Sequence, residues 1–182
     1  MMNISKRIKN NEVGIIPHDT IPGIVGRMTE ENALKILKLK NRSKKKGFII
    51  LIPNTAFLTE LVEDVPIKLN HIITNYWPGM LTIIFKKKPT ISNIISGNQT
   101  TIAIRYPKHP ELNKLLNELN EPLLSTSANI SGEQEISSEL RKSVDFIADD
   151  HTLKSSELAS TIIDGTSPAL SVLRQGSLHI SV

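Results

Sequence analysis

The run Ser125-Thr126-Ser127-Ala128-Asn129 sets three hydroxyls and a carboxamide almost side by side, just ahead of Ile130-Ser131-Gly132. Small polar side chains at a strand end can bind phosphate or carboxylate oxygens without crowding them, and ligands of open α/β sheets sit beyond the carboxyl ends of strands. The same residues also suit a plain cap-and-turn segment, since Ser, Thr and Asn favour turns for local reasons. Lys40-Asn41-Arg42 and Lys44-Lys45-Lys46 offer cations to a polyphosphate, Arg as a two-pronged donor and Lys as a mobile point charge. The competing reading is a solvated helix end with a lysine-rich loop. Arg105 closes the apolar run Thr101-Ile102-Ala103-Ile104 and can clamp a carboxylate; it can equally reach solvent or form a structural ion pair. In Pro17-His18-Asp19-Thr20-Ile21-Pro22-Gly23, Thr20 can present its hydroxyl and Gly23 permits close backbone approach, though a constrained turn alone would account for the sequence.

Other chemistries find less support. There is no G-x-x-x-x-G-K-[ST] phosphate loop. The five histidines, at 18, 71, 109, 151 and 179, fit no metal-ligand spacing, so no protein metal site is expected. The chain has no cysteine, which removes disulfides, thiolate ligands and thiol nucleophiles. No apolar run approaches the ~20 residues of a membrane span, and the first eleven residues do not read as a signal peptide. A cytoplasmic protein is therefore expected. The formal charge is +4, and residues 35–46 hold seven Lys or Arg and no acid, a field that favours nucleotides, pyrophosphate or RNA.

The elements that must position these residues follow from the pattern. Residues 4–8 suit a short helix, and residues 13–17 a short buried strand. Residues 18–26 read as a glycine-containing loop. Thr29 suits the N-cap of a helix running to Lys40, with Ala33, Leu34, Ile36 and Leu37 on its apolar face. Residues 48–52 form a continuous apolar run, as expected of a strand covered on both faces. Asn54 can cap a further helix. Residues 66–76 look helical until Trp77-Pro78-Gly79, and residues 81–85 and 100–105 look like strands. Residues 110–119 suit a helix with leucines at 112, 115, 116 and 119. Residues 122–125 form a strand that delivers the hydroxyl run. Residues 131–143 read as a loop and a short helix, and residues 144–148, 160–164, 169–173 and 178–182 as weaker strands. With 182 residues and strands alternating with helices, the expectation is one α/β domain over 1–182, built on a twisted mixed, largely parallel β-sheet flanked by helices.

Taken together and in order, these segments resemble the YrdC-like family, the threonylcarbamoyl-AMP synthases. The resemblance rests on Pro17 to Ile24, on Lys40-Asn41-Arg42 with Lys46, and on Trp77-Pro78-Gly79-Met80-Leu81-Thr82. It continues through Ala103-Ile104-Arg105-Tyr106-Pro107, the complete S-x-S-A-N at Ser125 to Asn129, Ser160-Thr161-Ile162 and Leu173-Arg174-Gln175-Gly176. Three places depart from the family pattern: His18 stands where threonine is usual, Pro22 replaces an aromatic residue, and the loop from Ser43 to Gly47 lacks the usual proline.

The resemblance implies a domain with a concave basic cleft and an enzyme that turns L-threonine, bicarbonate or CO2, and ATP into threonylcarbamoyl-AMP and pyrophosphate, for modification of adenosine 37 in tRNA. It implies a threonine side made by Thr20, Arg105, Ser125 and Ser160, with Arg105 on the carboxylate. It implies a nucleotide side made by Lys40, Arg42, Lys46, Thr101, Ser127, Asn129 and Arg174, with Lys40, Arg42 and Arg105 as catalytic residues. Mg2+ would arrive on the ATP phosphates. The chain is similar to the short, single-domain bacterial form, which relies on separate threonylcarbamoyl-transferase partner proteins. A related carbamoyl-adenylate domain of hydrogenase maturation proteins sits in a much longer, cysteine-bearing chain. The remaining alternative is an RNA-binding paralogue without synthase activity, which would hold tRNA or double-stranded RNA on its basic face.

Overall fold

The computed structural model describes residues 3–128, 136–148 and 158–180. In chain order the described elements are α1 (Ile4–Lys9), β1 (Gly14–Ile16), β2 (Gly23–Arg27), α2 (Glu30–Leu39), β3 (Ile49–Leu51), α3 (Leu58–Leu61), α4 (Asn70–Tyr76), β4 (Leu81–Lys86), α5 (Asn93–Ser96), β5 (Thr101–Arg105), α6 (Pro110–Leu119), β6 (Leu123–Ser127), α7 (Ser138–Ser143), β7 (Phe146–Ile147), β8 (Thr161–Asp164) and β9 (Ser171–Arg174). The strands join in one sheet in the order β7-β1-β2-β6-β3-β5-β4-β8-β9.

The sheet is mixed, as expected, but antiparallel neighbours outnumber parallel ones. β1/β7, β3/β5 and β4/β8 are parallel. β1/β2, β2/β6, β3/β6, β4/β5 and β8/β9 are antiparallel. Links as short as those from β1 to β2 and from β8 to β9 can turn the chain back but cannot carry it over the sheet, which takes a dozen residues or more. Several expectations need correction here. Residues 23–26, which read as loop because of their glycines, belong to a strand inside the sheet. The strand 122–125 runs on to Ser127, so most of the hydroxyl run lies within β6, hydrogen-bonded to β2 on one side and β3 on the other. The short α5 helix has no counterpart in the sequence pattern, and residues 178–180 are not a strand. Residues 181 and 182 lie outside the described residues.

Local signals set several boundaries as read. Thr29 caps α2 by accepting from the Asn32 amide, and Asn54 accepts from Ala56 at the start of the next helical turn. Pro110 occupies the first turn of α6, where its missing N–H costs nothing, and Asn120 ends that helix in the left-handed region.

Strand alternation divides the core in two. Ile15, Ile24, Ile50, Ile104 and Leu124 meet Ala33, Ile36 and Leu37 of α2 on one face. Ile16, Val25, Leu51 and Leu123 meet Ile8 of α1 and the leucines of α6 on the other. Leu116 is wholly buried there, whereas Ile67, just before α4, is 86% exposed. Leu116→Ala should therefore cost about 2–5 kcal/mol in urea unfolding, and Ile67→Ala should stay within about 0.5 kcal/mol of the parent.

Candidate functional site

Directly paired residues share a face of the sheet. Ser125 pairs with Val25 and Ile49, Ile49 with Ala103, and Ala103 with Ile84. This row therefore lies on the same side as α1 and α6. Where those helices stop, the face opens into a cavity of about 310 Å3. Ile49, Ala103 and Ile84 form its floor, and Arg42, Arg105 and Arg174 are the charged groups of its described lining, which includes no carboxylate.

The cavity collects most of the residues anticipated from the sequence. Thr20, Arg42, Thr101, Arg105, Ser125, Ser127, Ser160 and Arg174 all line it. Residues far apart in the chain converge because the end of β5 and the residue before β8 lie at one edge of the cavity floor and the end of β6 at the other, while Thr20 of the loop after β1 reaches Arg105. Lys46 is exposed and does not line the cavity. Lys40 is buried behind it, and its ammonium donates to the Ser127 carbonyl and to Ser127 Oγ. Burial, helped by the nearby Arg42 and Lys46 charges, lowers its pKa to about 8. Asn129 lies outside the described residues.

Arg105 is the most constrained of these groups. It is 3% exposed, and three of its nitrogens are tied. Nε donates to the Gly79 carbonyl at 3.0 Å, one terminal nitrogen to Thr20 Oγ1 at 2.7 Å, and the other to Asp19 Oδ1. Asp19 is itself buried in this ion pair and accepts the Lys108 amide on its second oxygen at 2.9 Å. A guanidinium has five N–H donors, so each terminal nitrogen keeps one more N–H. The arrangement fixes the plane of the guanidinium and leaves one further N–H on each terminal nitrogen, enough donors to meet a carboxylate.

Arg42 donates to Thr126 Oγ1 at 3.1 Å and to the Gly47 carbonyl at 2.8 Å, which locks the basic loop to β6. Arg174 donates to the Ser160 carbonyl at 2.8 Å and to its Oγ at 3.2 Å, and Ser160 Oγ also meets Thr82 Oγ1 at 2.8 Å. Trp77-Pro78-Gly79 braces the site from below. Trp77 Nε1 donates to the Leu81 carbonyl at 2.7 Å, and Gly79 supplies the carbonyl that holds Arg105.

Sequence reasoning missed Asp19 and Thr126 as working parts of the site. The signal for Asp19 was its place beside Thr20, given that a buried arginine needs an acid; Thr126 stood unassigned between two assigned serines. His18 also lines the cavity and is buried. Its burial, and next the charge of Arg105, lower its pKa from 6.5 to about 3, with Asp19 opposing and His109 adding a little.

The class defined here is an α/β domain with one face of its central sheet opening into a guanidinium-lined, hydroxyl-rich cavity, a lining whose charge is complementary to anionic small molecules. A family model covering Sua5, YciO and YrdC proteins, described as telomere recombination, matches residues 6–176. The chain belongs to this family. It is 30% identical over 180 residues to a threonylcarbamoyl-AMP synthase of Pyrococcus abyssi, covering 95% of this chain and 53% of that protein. It is 33% identical over 126 residues to a threonylcarbamoyl-AMP synthase of Idiomarina loihiensis, covering 65% of this chain and 68% of that one. The crystal structure of P. abyssi Sua5 complexed with L-threonine superposes with a TM-score of 0.86 at 26% identity, over 96% of this chain and 53% of that one. The chain thus spans about half the length of the P. abyssi protein. Escherichia coli YciO shares the fold, with a TM-score of 0.84 at 23% identity, over 96% of this chain and 87% of that one. No helix among the described residues is long and apolar enough to cross a membrane.

The buried imidazole makes a testable contribution to stability. Its pKa is depressed on folding, so the stability it adds is present above pH 6.5 and is lost as pH falls toward about 3. Between pH 7 and pH 4.5 the parent protein should lose about 2–3 kcal/mol more than His18→Gln, at about 1.4 kcal/mol per pKa unit; urea midpoints at the two pH values measure it.

Proposed function

We propose that this domain is a threonylcarbamoyl-AMP synthase, which joins L-threonine, bicarbonate or CO2, and ATP and releases pyrophosphate. The observation that carries the reading is Arg105. It is buried, its orientation is fixed by Asp19, Thr20 and Gly79, and it lines a cavity whose other charged lining groups are Arg42 and Arg174. An amino-acid carboxylate on one side and a triphosphate on the other would satisfy that distribution of charge. The relatives named as synthases, and the relative crystallised with L-threonine, support the same assignment.

In this reading the threonine amine and bicarbonate first condense to a carbamate with loss of water. A carbamate oxygen then attacks the α-phosphorus of ATP, a new P–O bond forms, and the bond to pyrophosphate breaks. The nucleophile belongs to the substrate, so the protein's work is to orient the reactants and neutralise charge. Arg105 holds the carboxylate, with Thr20, Ser125 and Ser160 around the amino acid. Arg42, Arg174, Thr101 and Ser127 face the nucleotide, and Lys40 holds β6 in place through Ser127. On the family resemblance, Lys46, which lies on the exposed basic loop, and Asn129 are assigned to the nucleotide side as well. The described lining offers no carboxylate and its guanidiniums cannot coordinate a cation, so Mg2+ would be held by the ATP phosphates themselves, where it would neutralise their charge.

The product would serve modification of adenosine 37 of tRNA in the cytoplasm, with separate partner proteins transferring the threonylcarbamoyl group. Exposed Lys44, Lys45 and Lys46 support a second reading, RNA contact through a basic face.

Purified protein with ATP, bicarbonate and L-threonine should release pyrophosphate only when threonine is present. Arg105→Lys, which keeps a charge for Asp19 but removes the fork, should raise the threonine KM at least about tenfold and change the ATP KM much less. Equal effects on both would remove the carboxylate role. Absence of product together with salt-sensitive RNA binding would replace the synthase reading by the RNA-binding one.

A further inference from the structure

Arg174 owes its place in the cavity lining to an irregularity in the ladder between β8 and β9. Asp164 pairs with Ser171 and Ile163 with Val172. A regular antiparallel ladder would go on to pair Ile162 with Leu173 and Thr161 with Arg174. Ile162 pairs with Arg174 instead, and Leu173 is the extra residue of a β-bulge, 60% exposed. Directly paired residues share a face of the sheet. Ile162 is on the cavity face, whereas Ile163 belongs to the core layer that packs on α2. Thr161 points to the same side as Ile163 and is wholly buried. In the regular register Arg174 would stand beside Thr161 on that closed side. The bulge moves it one place and brings its guanidinium to the cavity.

The residues after the bulge are held by one hydroxyl. Thr161 Oγ1 accepts the Gly176 amide at 3.0 Å and the Leu178 amide at 3.2 Å, and it donates to the Leu178 carbonyl at 2.5 Å. A hydroxyl has one proton and two lone pairs, so its whole bonding capacity goes into this clasp. The Ser177 amide adds a bond to the Ala159 carbonyl at 2.9 Å. Gly176 lies so close that a side-chain carbon there would run into the Ala159 carbonyl oxygen and lie 2.5 Å from the Ser160 carbonyl carbon. The clasp stands where the regular ladder would have run on, and it closes residues 176–178 against 159–161. Arg174, two residues before Gly176, then rests its Nε and one terminal nitrogen on the Ser160 carbonyl. Thr161 itself does not line the cavity.

We propose that Thr161 is a positioning residue for Arg174: its hydroxyl holds the shifted register of β9 and so sets where the guanidinium meets an anionic ligand. The inference rests on the reading of Arg174 as a nucleotide contact. It explains why a hydroxyl is kept at a wholly buried position between Leu81 and Ile163, where valine would pack with almost the same shape.

The test measures ATP affinity by calorimetry, with the threonine KM from pyrophosphate release beside it. Arg174→Ala should weaken ATP binding about 10–100-fold, the usual cost of losing hydrogen bonds to a charged group. Thr161→Val, which removes only the hydroxyl, should weaken it about tenfold by misplacing that group, with the threonine KM nearly constant. Thr161→Ser, which keeps the hydroxyl, should bind ATP as the parent does. Added to Arg174→Ala, Thr161→Val should cost nothing further, because the clasp then has no guanidinium to place. Should Thr161→Val fail to fold, Gly176→Ala forces the same clasp open at the sheet edge and should show the same pattern. An unchanged ATP affinity, an equal loss for threonine, a loss that persists in full without Arg174, or a serine variant no better than valine overturns the proposal. A parent that binds ATP but releases no pyrophosphate with threonine overturns the synthase reading alone, and the ATP affinities still decide the role of Thr161. A parent that does not bind ATP overturns both.

Discussion

The buried pair of Arg105 and Asp19 is the constraint on which the site depends. One guanidinium ties the end of β5, the loop after β1 and the loop after α4, and the Gly79 amide adds a bond to the Tyr106 carbonyl at 2.8 Å. An isolated charge at this depth would be prohibitive, and removing one partner of a buried pair typically costs about 3–5 kcal/mol. The pair is thus a poor device for stability in general and a good one for fixing position. It sets the fork of Arg105 in one orientation before any ligand arrives, so little reorganisation is left for the moment of binding.

The sheet supplies the rest through parity. Side chains alternate, so Leu123 and Ser125 of β6 share a face although one belongs to the core and the other to the cavity. The change of use along a single strand happens where α1 and α6 end. On the opposite face α2 packs without interruption onto Ile24, Ile50 and Leu124, and that layer gives the strands a fixed base. A slip of one residue in β6 would send Ser125 and Ser127 into this layer and turn Leu124 toward the cavity. The apolar residues at the start of the strand therefore guard the placement of the polar ones at its end.

Much of this was legible from local pattern. The Thr29 cap, the leucine period from 112 to 119 and the apolar run at 48–52 each report on their own surroundings, and each matched an element. The order of short motifs marked most of the cavity lining before any fold was known. What stayed hidden was non-local. The grouping of Thr20 with Arg105 hinted at Asp19 but did not show that its carboxylate pairs with the guanidinium, and nothing near Lys40 shows that its ammonium is bound to Ser127. The glycines at 23 and 26 hid a strand, because their lack of side chains reads as a turn until β6 lies alongside. The proportion of antiparallel pairing was likewise invisible, since helix–strand alternation does not report strand direction.

The position of β6 also bears on motion. It is the fourth of the nine described strands and is hydrogen-bonded along both edges. Binding residues commonly sit on loops that open readily, whereas amides in the centre of a sheet exchange with solvent only through the largest openings of the structure. Ser125 and Thr126 thus belong to the slow-exchanging heart of the molecule, while the basic loop and the turn bearing Asp19 lie outside the ladder. A ligand entering this cavity would meet one wall that is effectively immobile on its own timescale, and any adjustment would fall to the loops around it.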